Sequence, residues 1–274
     1  MGFEINAARC FLKLKKDNTN LSTVATIARQ NFDLKANIVS KVLREHDVDV
    51  SEAQLARIYS DEYAENFLHA IGVQTIDSFD YSNYEQCTVV HDMNTPLGEE
   101  YKNRYDVVFD GGTLEHVFNF PTAIQNCMEM VKVGGFFVAV TPCNNYSGHG
   151  FYQFSPELFF RIFSEENGFV VDSMYIDDSE DQYAVADPNV VGSRVTFRNS
   201  GMTLLVVVAK RVEKKNVLES PPQQGVYESL WKDRNVAPRA NERTDNILSK
   251  VKKTLKHLLF PDKYDTKKFR KIQK

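Results

Sequence analysis

The stretch that decides the fold is residues 105–152, YDVVFDGGTLEHVFNFPTAIQNCMEMVKVGGFFVAVTPCNNYSGHGFY. It predicts a strand, a loop, a helix, a Gly-Gly turn, a second strand and a second loop. The apolar runs at 107–109 and 136–140 are too short for amphipathic helices, and they suit strands buried on both faces. Between them, apolar residues recur at helical spacing behind Pro121, which favours a first helical turn. Such a strand–helix–strand unit requires a right-handed parallel crossover.

Polar side chains follow both predicted strands. In parallel sheets, ligands bind beyond the carboxyl ends of the strands. The first strand is followed by Asp110, Gly111, Gly112, Glu115 and His116, and the second by Cys143, Asn144, Asn145, Tyr146 and His149. Because both groups lie at one edge of the sheet, the sequence predicts that they form one site.

The bulk properties of the chain fit a single α/β body with appendages. Its 274 residues, 42% of them hydrophobic, are enough to bury a full core. The sequence contains no apolar run of about 18 residues and no signal peptide core near its beginning, so we expect no membrane span. The four cysteines are scattered without paired spacing, which indicates neither a zinc site nor a disulfide framework and favours a cytoplasmic location.

Charge is unevenly distributed along the chain. From residue 210 onward, 18 Lys and Arg stand against 8 Asp and Glu, whereas residues 1–209 hold 15 against 29. An acidic body argues against a nucleic-acid groove on the main domain. Within the basic part, residues 245–260 carry one apolar face at helical spacing. This pattern fits a packing or homodimer helix better than a membrane anchor, and it leaves peripheral membrane contact open.

The predicted elements follow the order β–α–α–β–β–β–α–β–α–β–β, which indicates an α/β sandwich. The last two strands are close in sequence, and an antiparallel hairpin is therefore expected there. We predict four parts. An N-terminal helical extension covers residues 1–20, and a main domain covers residues 21–212. A linker or arm covers residues 213–242, and a basic amphipathic helix with a tail covers residues 243–274.

These segments resemble the class I S-adenosylmethionine-dependent methyltransferase superfamily. The resemblance covers residues 21–211 and is carried by YDVVFDGGTLEHV, VKVGGFFVAVTP and GHGFYQFSPELFFRIF followed by NGFVV. The chain is most similar to a small-molecule branch found with bacterial surface-polysaccharide genes. The resemblance implies S-adenosylmethionine as cofactor and a Rossmann-like three-layer sandwich. Its mostly parallel sheet would have seven strands, with the last strand antiparallel.

The resemblance also implies roles for residues at the sheet edge. Asp80 occupies the position of an acid on the cofactor ribose, with Asp77 as the alternative, since a carboxylate accepts hydrogen bonds from two vicinal hydroxyls. Asp92 and Met93 occupy the positions that would contact the amino group and the ring of the adenine. The floor under the methionine and its methyl group would be formed by Asp110, Gly111 and Gly112.

One departure from the family pattern concerns the first loop, TIARQNF at residues 26–32. This loop is normally glycine-rich, because glycine allows a close approach of the backbone and a positive φ. Here Ala28 stands where glycine is most expected, while Arg29 is a candidate partner for the cofactor carboxylate and Gln30 completes the loop. The chain either binds the cofactor through a modified loop or has lost that ability.

The candidates for proton handling are His149 and His116. The candidates for orienting an acceptor are Asn144, Asn145, Tyr146 and Tyr152. For these residues a purely structural role in a loop or a helix start remains an alternative. The His, Cys and Asp residues show no metal-ligand spacing, and we therefore expect no metal.

Two functions fit the sequence. The first is methyl transfer to a small polar acceptor, and the resemblance favours a sugar or sugar nucleotide of surface-glycan biosynthesis. The second is a catalytically silent scaffold in a glycan-assembly complex, which the glycine-free loop and the basic tail support. A nicotinamide-dependent oxidoreductase fits less well, because no G-x-G-x-x-G motif follows any predicted strand.

Overall fold

The computed structural model describes residues 2–225 and 268–272. Within them the strands are β1 (Thr23–Ile27), β2 (Thr75–Asp80), β3 (Val89–Val90), β4 (Tyr105–Asp110), β5 (Val131–Asn144), β6 (Phe169–Asp177), β7 (Gln182–Val185), β8 (Thr203–Arg211) and β9 (Phe269–Ile272). The helices are α1 (Ile5–Lys16), α2 (Ala36–Glu45), α3 (Glu52–Ile58), α4 (Glu65–Ala70), α5 (Phe120–Met130), α6 (Pro156–Ile162) and α7 (Pro188–Val191). The predicted helix at 245–260 and most of the predicted arm lie outside the described residues.

The strands form one Rossmann-like sheet in the order β3-β2-β1-β4-β5-β8-β6-β7-β9. Strands β1 to β5 pair in parallel, and β8 lies antiparallel between β5 and β6. The predicted α/β fold and the antiparallel pairing of the strands near 169–176 and 202–210 are confirmed. The predicted sheet of seven mostly parallel strands is wrong, because the described sheet has nine strands and is mixed.

The two additional strands, β7 and β9, explain that error. Strand β7 follows β6 after a short connection, which permits only antiparallel pairing, and β9 in turn pairs antiparallel with β7. The sequence of β9, FRKI, lies in the basic tail, and QYAV in β7 is only four residues long. Neither strand carries the apolar run by which the other strands are predicted.

Strand β4 is buried at every position, as its apolar run predicts. Val107 and Phe109 pack into one hydrophobic core together with α1 to α4, whereas Val108 packs into a second core with α5 and α6. The sheet therefore lies between two helical layers. The N-terminal helix belongs to the first layer, and the ring centroids of Phe3 and Phe11 lie 5.4 and 5.6 Å from that of Phe109.

Strand β5 begins earlier than the sequence predicts. The Gly-Gly pair, Gly134 and Gly135, lies inside the strand at a register irregularity rather than in a turn before it. A Cβ at Gly135 would lie 2.7 Å from the carbonyl oxygen of Asp106. Glycine is therefore required here because the backbones of β4 and β5 approach each other closely.

The carboxyl ends of four parallel strands meet at one edge of the sheet. Ile27 pairs with Phe79 on one side and with Asp110 on the other, and Asp110 pairs with Ala139. The loops that follow β1, β2, β4 and β5 consequently lie next to one another. Among the described residues, no helix has both the length and the apolar character that a membrane crossing requires.

Candidate functional site

The first loop turns at Ala28, directly after β1. Ala28 has a φ of 60°, in the left-handed region where a side chain is disfavoured. Its amide donates a hydrogen bond of 2.7 Å to the carbonyl of Phe79 at the end of β2. The backbone at this position thus needs the conformation that glycine adopts most easily, although the residue is an alanine.

Gln30 fills the space between the first loop and the loop after β4. Its buried side-chain amide donates to the carbonyl of Ile27, and a Cβ at Gly111 would collide with it. The same Cβ would lie 3.1 Å from the carbonyl oxygen of Gly2. The absence of a side chain at Gly111 therefore makes room for the Gln30 side chain and the Gly2 carbonyl.

Arg29 links the first loop to neighbouring segments of the chain. Its Nε lies 2.8 Å from Glu65 Oε1, and its Nη1 donates to the carbonyl of Glu85 at 2.9 Å. The guanidinium carbon stands 3.7 Å from the centroid of the Tyr63 ring. The positive charge of Arg29 is thus paired with the Glu65 carboxylate of α4. The binding of a cofactor carboxylate by Arg29 remains a prediction.

Asp80 ends β2, and Asp92 follows β3 at the same edge. Asp80 is half-buried, and its Oδ1 accepts one long hydrogen bond, of 3.4 Å, from the Ser82 amide. Hydrogen bonds from the backbone and side chain of Asn94 lower the pKa of Asp92, so its carboxylate is ionised at neutral pH. Met93 is buried beside it.

The alternative acid, Asp77, lies inside β2 rather than at its end. The Tyr105 hydroxyl donates to Asp77 Oδ2 at 2.7 Å, and an Arg104 guanidinium nitrogen lies 3.4 Å from the same oxygen. These contacts bind the Asp77 carboxylate to β4 and its preceding loop. Of the two acids, Asp80 is the one at the carboxyl end of β2, and the ribose role of either acid stays a prediction.

Asp110 is almost fully buried at the end of β4. Its Oδ1 accepts hydrogen bonds from the amides of Thr113 and Leu114 at 2.9 and 3.2 Å. Its Oδ2 is buried and has no hydrogen-bond partner among the described residues. Burial raises the pKa of this carboxyl above its ordinary value. Gly112, with a φ of 94°, then turns the chain away from the strand.

A second buried carboxyl, Glu115, meets both candidate histidines. Its side chain is 0% exposed, and its Oε1 lies 3.5 Å from His149 Nε2 and 3.9 Å from His116 Nε2. Its Oε2 accepts a hydrogen bond from the Thr141 hydroxyl at 3.4 Å. Burial raises the pKa of Glu115 and lowers that of His116. We call Glu115, His116 and His149 the Glu-His-His cluster.

Two short segments bring the Glu-His-His cluster together. Glu115 and His116 lie in a 3-10 turn after β4, and His149 lies in the Gly-His-Gly loop after β5. The carbonyl of Glu115 accepts hydrogen bonds from the amides of Phe151 and Tyr152, at 2.8 and 3.2 Å. A Cβ at Gly150 would lie 2.9 Å from that carbonyl oxygen, so glycine allows the two segments to pack directly.

The four residues predicted to orient an acceptor divide into two groups. The Tyr146 ring lies 5.4 Å from the imidazole of His149, so the structure brings it to the Glu-His-His cluster. The side chains of Asn144 and Asn145 donate to the carbonyls of Phe197 and Gly201, and the Tyr152 hydroxyl donates to that of Phe118. These three side chains link neighbouring loops through these hydrogen bonds, and their role in orienting an acceptor stays a prediction.

Sequence reasoning assigned no role to Glu115, although it noted the residue among the polar side chains after β4. Its neighbour in sequence, His116, was the only available signal. The contact with His149 crosses 34 residues of chain, and it depends on the parallel pairing of β4 with β5 and on the Gly-His-Gly loop. Linear ligand spacing cannot reveal such a cluster.

A cavity of about 270 Å³ lies beside the carboxyl end of β5. Its walls include Asn144, Gln153 and Phe197, and also Phe269 from the distant strand β9. Cys143 lines it as well, but burial raises the pKa of this thiol to about 11. The thiol therefore stays protonated at neutral pH, which argues against a nucleophilic role.

No family model matches the sequence, and no curated protein matches it. Three similar solved structures are a candidate methyltransferase from Bacillus halodurans, a candidate S-adenosylmethionine-dependent methyltransferase from Listeria monocytogenes and the branched-chain polyamine synthase of Thermus thermophilus. Their identities to this chain are 13, 13 and 11%. The matches cover 75, 76 and 80% of this chain and 99, 100 and 60% of the others, with TM-scores of 0.36, 0.41 and 0.39. Such scores assign neither a family nor an activity to this chain.

Proposed function

We propose that the protein is a cytoplasmic S-adenosylmethionine-dependent methyltransferase that acts on a small polar acceptor. The acceptor class that the sequence resemblance favours is a sugar or sugar nucleotide of surface-glycan biosynthesis. The observation that carries the proposal is that two candidate cofactor-binding acids and the Glu-His-His cluster lie at one edge of the sheet. The half-buried acid Asp80 ends β2 there, the half-buried Asp92 follows β3, and the Glu-His-His cluster lies after β4 and β5.

The residues at this edge fit the proposed cofactor. Asp80 keeps acceptor capacity for two ribose hydroxyls, since the Ser82 amide provides one long hydrogen bond to a carboxylate with about four acceptor sites. The ionised carboxylate of Asp92 and the apolar Met93 suit the amino group and the ring of adenine. The unpartnered Oδ2 of Asp110 can accept a hydrogen bond from an ammonium group.

S-adenosylmethionine supplies a methyl group activated on a sulfonium. The protein then has to position the acceptor, exclude water and remove a proton when the acceptor is a hydroxyl. We assign proton removal to the Glu-His-His cluster, in which His149 and His116 are the groups able to accept a proton. The methionine end would be held by Ala28, Arg29, Gln30, Asp110, Gly111 and Gly112, and the acceptor by Asn144, Asn145, Tyr146 and Tyr152.

The position of the Gln30 side chain affects the proposed binding of the methionine end of the cofactor. Its side chain packs over Gly111, where the resemblance places the methionine end of the cofactor. Cofactor binding would therefore require the Gln30 amide to leave its hydrogen bond to Ile27. The same packing favours a second candidate, the catalytically silent scaffold of a glycan-assembly complex, whose basic tail would recruit a partner.

Calorimetric titration with S-adenosylmethionine and with S-adenosylhomocysteine tests the proposal. We expect micromolar binding to the wild-type chain. Asp80→Asn should weaken binding by at least about tenfold, since a hydrogen bond to a charged group contributes about 1.5–3 kcal/mol. Asp49→Asn, at an exposed position away from this edge, is the matched control and should bind like the wild type.

The outcomes separate the two candidates. Absence of binding to a well-folded wild-type chain at millimolar ligand would contradict the methyltransferase proposal and favour the scaffold. Unchanged affinity in Asp80→Asn would remove Asp80 from the cofactor site. If both predictions hold, turnover with a panel of sugars and nucleotide sugars identifies the acceptor.

A further inference from the structure

We propose that the Glu-His-His cluster binds one divalent transition-metal cation. One ligand atom from each of Glu115, His116 and His149 can be chosen so that all three lie within 4.8 Å of one another. Two of these side chains come from the turn after β4 and the third from the loop after β5. Among residues 2–225 and 268–272, this is the group of His, Cys, Asp and Glu side chains with such spacing.

The buried oxygen of Glu115 is the observation that points to a cation. Glu115 Oε1 is inaccessible to solvent, and no hydrogen-bond donor reaches it within the described part of the chain. A buried polar atom without a partner is costly. This oxygen faces the Nε2 atoms of His149 and His116 at 3.5 and 3.9 Å. A cation placed between them would give the oxygen the partner that it otherwise lacks.

Two distances within the cluster, from Glu115 Oε1 to the Nε2 atoms of His149 and His116, are close to those between ligands around a bound ion. Ligand atoms at about 2.0–2.2 Å from a metal lie roughly 3–3.6 Å apart at tetrahedral angles. Only a small contraction of the cluster is therefore needed. The His149 loop can supply it, since Gly148 and Gly150 flank the histidine and Gly148 has a φ of 84°.

The surroundings of Glu115 support a ligand role. The Thr141 hydroxyl holds the second carboxylate oxygen at 3.4 Å, and the backbone of the His149 loop is hydrogen-bonded to the Glu115 carbonyl. Such outer contacts fix the orientation of metal ligands in proteins. The carboxylate is thus held in place while the two imidazoles approach from the open side.

The ligand set selects the type of cation. Two imidazoles and one carboxylate suit Zn²⁺, Fe²⁺ or a similar ion, whereas Mg²⁺ prefers oxygen ligands and water. Three protein ligands leave coordination positions open. The open side faces solvent, because the side chains of His116 and His149 are 46 and 31% exposed. The site can therefore bind an oxygen atom of a small molecule.

The role of this ion in catalysis rests on the proposed function, whereas the binding site itself does not. A hydroxyl bound to a divalent cation loses its proton more readily than a free one. The ion would lower the pKa of the bound acceptor hydroxyl, so that its proton passes to solvent water before the oxygen attacks the methyl group. In the metal-bound protein, His116 and His149 would therefore act as ligands instead of as the proton acceptors. Tyr146, next to His149, would flank the bound acceptor.

Metal titration of the chain without an affinity tag tests the proposal. After removal of metals with EDTA and dialysis, the protein is titrated with Zn²⁺ by calorimetry and with Co²⁺ by visible absorption. We expect one ion per chain, a Co²⁺ spectrum of low coordination number and no competition by Mg²⁺. Glu115→Gln and His149→Ala should each weaken Zn²⁺ binding by at least about tenfold, and His91→Ala, at a histidine outside the cluster, should not.

Each result has a defined meaning. Absence of Zn²⁺ binding to the wild-type chain overturns the proposal, as does binding that His149→Ala leaves unchanged. His149→Ala keeps the test valid if Glu115→Gln fails to fold, because His149 lies in a partly exposed loop. Titration of the metal-free chain with S-adenosylmethionine separates this proposal from the preceding one. Cofactor binding without metal binding refutes only the metal site, and the reverse result refutes only the methyltransferase.

Discussion

Ala28 holds the first loop in a conformation that costs a residue with a side chain about 1–2 kcal/mol. Gly111, directly after β4, leaves room for the Gln30 side chain that packs over it. The missing glycine could be read from the sequence as a departure from the family pattern. The packing of Gln30 over Gly111 could not, because it requires knowing that β1 pairs with β4.

We predict that Ala28→Gly stabilises the protein. Relief of the left-handed strain exceeds the additional unfolded-state entropy of glycine, about 0.5–1 kcal/mol, so the gain should be up to about 1 kcal/mol. Urea unfolding measures it. Ala25→Gly, in the middle of β1 where φ is not positive, is the control and should lose stability. A comparable loss in Ala28→Gly would show that Ala28 is not strained.

The sequence predicts both histidines at one site, but it does not predict their direct contact with Glu115. His116 and His149 follow apolar runs that are readily recognised as strands. Glu115 gains its significance only when the Gly-His-Gly loop packs against the turn after β4. The predicted acceptor residues Asn144 and Asn145 were recognised as loop residues, but their bonds to residues 197–201 depend on the position of the segment before β8.

Among the elements, α5 depends on a residue that lies far away in sequence. The last turn of α5 contains no basic residue. Arg211, buried at the end of β8, donates instead to the carbonyls of Met128, Glu129 and Val131 at 3.2, 3.3 and 2.7 Å. Carbonyls at a helix C-terminus lack partners within the helix and favour a nearby positive charge. Arg211 therefore links α5, β5 and β8.

We predict that Arg211→Met lowers the free energy of unfolding by about 2–4 kcal/mol. Methionine fills most of the space but removes the Arg211 donor from the buried carbonyls of Met128 and Val131, each at a cost of about 1–3 kcal/mol, whereas the Glu129 carbonyl keeps the Asn103 amide as a donor. Urea denaturation gives the value. Lys210→Met, at the adjacent and more exposed position, is the matched control and should change stability by less than about 0.5 kcal/mol. Equal effects of the two substitutions would refute the role assigned to Arg211.

The predictability of the elements followed their apolar content. β4, α5 and the centre of β5 are apolar enough to be recognised, and they occupy the middle of the sheet. β7 and β9 lie at one end, where the sequence is polar or basic. The early start of β5 was missed for another reason. A Gly-Gly pair usually marks a turn, whereas here it allows β4 and β5 to approach closely.

At the scale of the whole molecule, the sheet separates two hydrophobic cores. Buried cysteines lie in both of them. Cys10 lies in the core formed with α1, and Cys127 and Cys143 lie in the core on the opposite face. Burial raises the pKa of Cys10 to about 11. Cys87 is half-buried in the loop before β3. The cysteines are thus distributed over both faces of the sheet and its periphery.

We predict that one thiol reacts rapidly with Ellman's reagent in the native protein. Cys87 should react first, since the thiolate is the reactive form and the other three thiols are buried and protonated. Under denaturing conditions all four should react. Cys87→Ser should abolish the fast phase. A fast phase that persists in this variant would mean that one of the two cores opens readily.

The strand furthest from the site, β9, has a consequence for the behaviour of the protein in concentrated solution. Phe269 is buried against Phe197, whereas Arg270 and Lys271 are exposed along the outermost strand. Charged side chains on an edge strand discourage the addition of a strand from another molecule. Loss of β9 would uncover β7, QYAV, which carries no charge. Release of these four residues would therefore convert a protected edge into a surface for self-association.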